Sequence, residues 1–81
     1  NKDIAIYPNP SGSTFTISFG EAAGEFADVR LYDLSGRMIL DVNSIPAGEA
    51  FSFGGELQPG IYLAVITRAG NRKIIKLTKT R

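Results

Sequence analysis

The chain has 81 residues, 43% of them hydrophobic and 21% charged, with a formal net charge of +1, which suits one small globular domain with a modest core. It has no Cys and no His, so disulfides, a thiol nucleophile and the usual zinc ligands are excluded. No apolar run approaches the roughly 18 residues that cross a bilayer as a helix. The charge is uneven: three cations stand against eight acids through Thr67, then six cations and no acid run from Arg68 to Arg81. An acidic body with a basic end is the asymmetry of an interaction tail. The chain starts at Asn1 without Met, and we read it as a fragment of a longer protein, one that would not show a signal peptide even if the whole had one.

Taken in order, the chain reads as short strands broken by turn residues. IAIY (4–7) runs into the breaker cluster YPNPSGS. TFTISF (14–19) alternates, with Phe15, Ile17 and Phe19 on one face, the mark of a half-buried strand. GEAAGE (20–25) is a loop. FADVRLYD (26–33) puts Val29 and Leu31 on one face and Arg30 and Tyr32 on the other. LSGR (34–37) holds a Ser-Gly turn, and RMILDV (37–42) follows as the hairpin partner. NSIPAGE (43–49) is a loop, AFSF (50–53) a short strand, and GGELQPG (54–60) a turn. IYLAVITR (61–68) is apolar on both faces and is expected to be a central strand covered on both sides. AGN (69–71) is a hairpin loop. The last strand is RKIIKLTK (72–79), with Ile75 and Leu77 inward, flanked by Lys73 and Lys79, and with Ile74, Lys76 and Thr78 outward. We expect the lysines to stay solvated. Nothing repeats at 3.6 residues. Seven strands at this spacing predict an all-β, immunoglobulin-like sandwich of mostly antiparallel strands.

Three turns stand out. In YPNPSG, Pro8 and Pro10 cannot donate to a ladder, so the first strand stops here or sits at an edge. The segment is either a rigid terminator or an exposed recognition corner. In LYDLSGR, Asp33 can bond backbone amides two residues on, and Gly36 can take a positive φ; Arg37 can pair with Asp33. LQPGIY is a Pro-Gly turn feeding a core strand.

Catalytic chemistry finds little support. Ser35 and Ser52 lack a His base and a surrounding motif, the acids lie singly without a calcium loop, and there is no phosphate-binding glycine motif. No cofactor site and no enzyme follow. Nucleic-acid binding is disfavoured, because Ile74, Ile75 and Leu77 interrupt the basic run, no aromatic lies there for stacking, and the body is acidic. A membrane tether would need a larger apolar face or a second signal. Tyr7, Tyr32 and Tyr62 lie in separate strands, which argues against a carbohydrate platform, and Tyr62 should pack near the core.

Four stretches in order, YPNPSGSTFTI, VRLYDLSGRMI, LQPGIYLAVI and NRKIIKLTKTR, resemble the C-terminal sorting domain (type A) of the type IX, or Por, secretion system. The likeness covers the chain from about Ile6 to Arg81. It implies a seven-stranded sandwich, with no enzymatic role, at the end of a larger exported protein of Bacteroidetes-type bacteria. The cargo, attached on the N-terminal side, passes the inner membrane by its own signal, and after the periplasm the domain directs it through the outer-membrane translocon, with its shuttle proteins as further partners. A sortase-like peptidase then usually removes the domain, and the cargo is released or joined to lipopolysaccharide at the cell surface. The likeness maps the family's Pro-Asn-Pro element to Pro8, Asn9 and Pro10. Its Leu-x-Asp-x-x-Gly-Arg element falls on Leu31, Asp33, Gly36 and Arg37, and its Gly-x-Tyr element on Gly60 and Tyr62. Its lysine-bearing last strand falls on Lys73, Lys76 and Lys79. These are the residues expected to meet the translocon or the sortase, with the basic edge of the last strand as the feature read. The rival expectation is an accessory immunoglobulin-like spacer or a carbohydrate- or protein-binding module. An unpaired edge strand also allows weak dimerisation or strand addition.

Overall fold

The computed structural model describes residues 4–19, 26–46, 50–68 and 70–80. The expected loop at 20–25, residues 47–49 of the expected loop at 43–49, Ala69 of the hairpin loop, and Arg81 lie outside the described residues. Seven strands form among the described residues: β1 (Ala5–Tyr7), β2 (Phe15–Ser18), β3 (Phe26–Asp33), β4 (Met38–Pro46), β5 (Phe51–Phe53), β6 (Gly60–Arg68) and β7 (Asn71–Lys79). They make a three-stranded sheet in the order β1-β2-β5 and a four-stranded sheet in the order β4-β3-β6-β7. Every ladder between strands is antiparallel. The all-β sandwich read from the alternation is the fold observed.

The two-residue period decides which side chains meet. Phe15 and Ile17 of β2, Val29 and Leu31 of β3, Ala64 and Ile66 of β6 and Leu77 of β7 are fully buried between the sheets, with Phe19 beside them. Burying each large side chain contributes about 1.5–3 kcal/mol relative to exposure. The Phe15 and Phe53 rings stack at 5.8 Å across the β2–β5 ladder, tying the short strand β5 to the core. On β6, Tyr62, Ala64 and Ile66 point inward.

The opposite face of β6 corrects one expectation. Ile61, Leu63 and Val65 are not covered by a second layer among the described residues: Ile61 is exposed, and Leu63 and Val65 are half-buried. Their partial shelter is lateral. The register places Leu63 between Tyr32 and Lys76, and Val65 between Arg30 and Ile74, so neighbouring stems shield them within the sheet. An apolar run on both faces therefore marks a strand with neighbours on both sides, not one with layers above and below.

A second correction concerns β4. The expected loop at 43–49 is strand as far as Pro46. Ala27 pairs with Ile45 but Val29 pairs with Val42, so Asn43 and Ser44 together oppose Asp28 alone. Ser44 has φ 60°, and its N–H donates to Asp28 Oδ1 at 2.9 Å, replacing a ladder bond that the bulge breaks. A second bulge at Ile39 lets both Ile39 and Leu40 lean toward the core. Breaker residues at 43–46 thus shape an edge strand instead of ending it, and Pro46 is tolerated there because an edge strand has one side without ladder bonds.

Gly54, directly after β5, is buried with φ +91°, and a Cβ there would lie 3.1 Å from Phe15 Cδ2 and 3.2 Å from Leu57 Cδ1. Both the left-handed backbone and the close ring demand glycine. Gly54→Ala is expected to lower stability by about 2 kcal/mol or more, seen as a lower urea midpoint with an unchanged m-value.

Candidate functional site

β7 forms one edge of the four-stranded sheet, and the segment after β1 lies along it. β1 ends at Tyr7, as two prolines in three residues dictate, and both peptide bonds into them, Tyr7–Pro8 and Asn9–Pro10, are cis. The chain then leaves the small sheet for the edge of the large one. Asn9 Nδ2 donates to the Lys76 carbonyl at 2.8 Å, and the Thr78 N–H donates to Asn9 Oδ1 at 3.1 Å. The carboxamide is a one-donor, one-acceptor mimic of a peptide unit, so it pairs with a strand edge as another strand would. Ser11 extends the cover through its backbone: its N–H donates to the Thr78 carbonyl at 3.0 Å, and the Thr80 N–H donates to the Ser11 carbonyl at 2.9 Å. Ser11 and Lys79 form a parallel bridge. Ser11 is only 3% exposed, and its hydroxyl donates to the Thr14 carbonyl while accepting from the Ser13 N–H. YPNPSG is thus a terminator, and its Asn9 is a clamp on the last strand. Pro8 and Pro10 are exposed on the outside of that clamp.

The three lysines of β7 have three different environments. Lys79 is 3% exposed, and its Nζ donates to the carbonyls of Gly54 at 2.8 Å and Leu57 at 2.9 Å. The expectation that all the lysines stay solvated is corrected here. Lys79 lies on the inward row at the end of the sandwich, opposite the turn that the Leu57 N–H closes on the Gly54 carbonyl. A buried ammonium needs such acceptors, and carbonyls in a turn need a donor. Lys73, on the same row at the other end, is exposed but reaches the Ile4 carbonyl at 3.3 Å. Lys76 points outward and is exposed, and its ammonium has no hydrogen-bond or ion-pair partner among the described residues. Arg72, on the same outer row, is exposed and likewise unpartnered.

The β3–β4 turn is built on Asp33. The Gly36 N–H donates to the Asp33 carbonyl at 3.0 Å, and the Asp33 N–H to the Arg37 carbonyl at 3.0 Å. Asp33 Oδ1 accepts from the Ser35 hydroxyl at 2.7 Å and from the N–H groups of Ser35 and Arg37, each at 3.0 Å. The Ser35 hydroxyl first, and the Arg37 amide next, hold its carboxyl below the usual aspartate value. The ion pair expected between Arg37 and Asp33 forms at 3.5 Å, with Arg37 76% exposed, so solvent screens it and it adds little to stability. Gly36 has φ +92° with open space where a Cβ would go, so backbone conformation alone selects glycine there.

Across from this turn, Tyr62 is buried as expected, and its hydroxyl donates to the Gln58 carbonyl at 2.7 Å, which fixes the loop before Gly60. Leu31, Asp33, Arg37, Leu57, Pro59 and Tyr62 surround an open groove of about 520 Å³ at one end of the sandwich. The structure therefore brings the two internal motifs, 31–37 and 60–62, to one groove. It brings Pro8, Asn9 and Pro10 to the strand edge with Lys76, and Lys79 connects edge and groove by bonding Gly54 and Leu57, which line the groove. Lys73 stands apart at the opposite end. Sequence reasoning missed the buried Ser11 and the Gly54 and Leu57 carbonyls. The glycine doublet at 54–55 was the available sign of a turn tight enough to present them.

Two outcomes follow from these bonds. Asn9→Ala should cost about 1–2 kcal/mol and speed amide exchange at Thr78, while Leu77, whose N–H faces β6, stays protected; both are read by NMR. Asp33, with its folded-state pKa depressed, contributes stability that is complete above the usual aspartate range and lost as pH falls through the lowered value. Asp33→Ala should therefore melt below the parent chain at pH 7, and the gap should close as pH is taken below the aspartate range in a series of thermal melts.

A sequence model of the family described as the secretion system C-terminal sorting domain matches residues 5–80, a span that takes in all seven strands. No curated protein matches the chain.

Proposed function

Given that this chain belongs to the family of secretion system C-terminal sorting domains, we propose that the export machinery reads its terminal strand from the outer side, with Lys76 and Arg72 as the cations it contacts. The domain is a sorting signal of type IX secretion, directing an attached cargo across the outer membrane. The observation that carries the residue-level reading is the division of labour among the three lysines. Lys79 and Lys73 donate to backbone carbonyls, whereas Lys76 offers its charge to solvent. Pro8, Asn9 and Pro10 act by holding the strand in its presented form. Leu31, Asp33, Arg37 and Tyr62 line the end groove, Gly36 and Gly60 turn the backbone that carries them, and the exposed Arg37 supplies a further cation there. On this reading the domain is handled by others and catalyses nothing. Its partners are the translocon and shuttle proteins, and a sortase-like peptidase removes it after transit through the periplasm, leaving the cargo at the cell surface or released.

The test is a fusion of residues 1–81 to a periplasmic reporter in a cell with a working type IX system. Lys76→Glu should stay within about 0.5 kcal/mol of the parent in stability, as a surface substitution does, yet leave the reporter in the periplasm. Surface delivery of the folded variant overturns the role of Lys76. Lys79→Glu should fail differently, by unfolding, because it sets a buried carboxylate against the Gly54 and Leu57 carbonyls.

A further inference from the structure

A sheet edge presents unpaired backbone groups, and proteins normally blunt it. Three of the four edges here are blunted. β1 and β5 are three residues long, and β4 carries two bulges and Pro46. β7 is different: its nine residues pair with β6 in unbroken register from Asn71 to Lys79, with neither bulge nor proline. Its cover is partial. The bonds to Asn9 and Ser11 engage the Lys76 carbonyl, both backbone groups of Thr78 and the Thr80 N–H. Backbone groups alternate in direction along a strand, so those of Arg72 and Ile74, and the Lys76 N–H, face the same open side. None of these has a partner among the described residues.

We infer that this open half of the edge, Arg72 to Lys76, accepts an added strand from a partner protein, an extended acidic segment that pairs with it main chain to main chain. This deepens the reading that the terminal strand is what the export machinery recognises, and rests on it. The side chains set the chemistry of the occupant. Arg72 and Lys76 flank Ile74 on the outer face, and Ile74 is 58% exposed beside Val65. An antiparallel strand would therefore place acids opposite Arg72 and Lys76 and an apolar residue opposite Ile74, since opposite charges directly across a ladder attract and like charges repel. The same rule disfavours a second copy: β7 paired with β7 about Ile74 would set Arg72 of each chain against Lys76 of the other.

The probe is a capped synthetic peptide, Thr-Glu-Thr-Val-Thr-Glu-Thr, titrated into the 81-residue chain and followed by NMR. The amides of Arg72, Ile74 and Lys76 should shift and exchange more slowly. A peptide with Lys in place of Glu, or one N-methylated at Val, should bind at least about tenfold more weakly, the loss of roughly one hydrogen bond or ion pair. Equal binding of the N-methylated peptide overturns strand addition in favour of simple charge attraction. Shifts confined to another surface, or dimerisation of the chain through β7 in sedimentation, overturn it as well. In the export assay, Ile74→Pro removes an outward N–H without touching the β6 ladder and should block delivery with the melting transition retained. If Lys76→Glu blocks export and a folded Ile74→Pro does not, strand addition falls and the charge reading stands. If neither folded variant blocks export, the reading of the terminal strand itself falls. Should Ile74→Pro unfold the chain, the N-methylated peptide decides.

Discussion

The structure depends on how its last strand is held. β7 has one neighbour in its sheet, β6, and contributes Leu77 to the core and Ile75 to its margin. An edge strand secured on one side opens more readily than a central one. Here the second side is secured from the Lys76 carbonyl to Thr80 by a carboxamide and a serine backbone from the segment that follows β1. Lys79 adds a third attachment at the far end of the strand, where its ammonium bridges two carbonyls of the turn after β5. The large sheet is thereby tied to both outer strands of the small one without a disulfide. That matters in a domain of 81 residues, where the core alone leaves little margin.

The basic character of the terminal strand is finer than its charge count. The period of two sends Lys73 and Lys79 inward and Arg72 and Lys76 outward. The inward pair does structural work with backbone oxygens, and the outward pair is left to act at longer range. Among the described residues, no acid pairs with the outward cations. Asp41 is engaged with Arg30 at 3.4 Å, Asp33 with its own turn, and Asp28 with the β4 bulge. Among the described residues the outward pair therefore forms a local excess of positive charge at one edge, of the kind that steers a partner electrostatically.

Alternation made most of the fold legible. Phe15, Ile17 and Phe19 announced β2 and the core face, and Asp33 with Gly36 announced the hairpin turn, because each residue's own geometry dictates the outcome. What escaped was set by tertiary neighbours. Asn43 to Pro46 read as a loop because bulges recruit the same residue types, and only the Asp28 carboxylate, sixteen residues away, shows that the strand continues. Lys79 read as solvated because nothing local signals that two carbonyls wait across the sandwich. Asn9 read as part of a terminator or a corner, and its clamp on the last strand escaped for the same reason, since its partners lie 67 and 69 residues along the chain. Ile61, Leu63 and Val65 misled in the other direction, as apolar side chains can be sheltered within a sheet without a layer above it. The family motifs were all visible, but their grouping into a groove and an edge was not.

The span of the Asn9 contacts has a consequence for biosynthesis. Contacts of such separation form late and slowly, and β7 follows in chain order every element it touches. The domain can close only when the strand through Thr80 has been made and freed. A prematurely terminated chain leaves Asn9 and Ser11 without their partners and the Gly54 and Leu57 carbonyls without their donor. The folded domain thus certifies that translation has run through its final strand, and a receptor that recognises only the closed form would reject truncated products without any separate proofreading step.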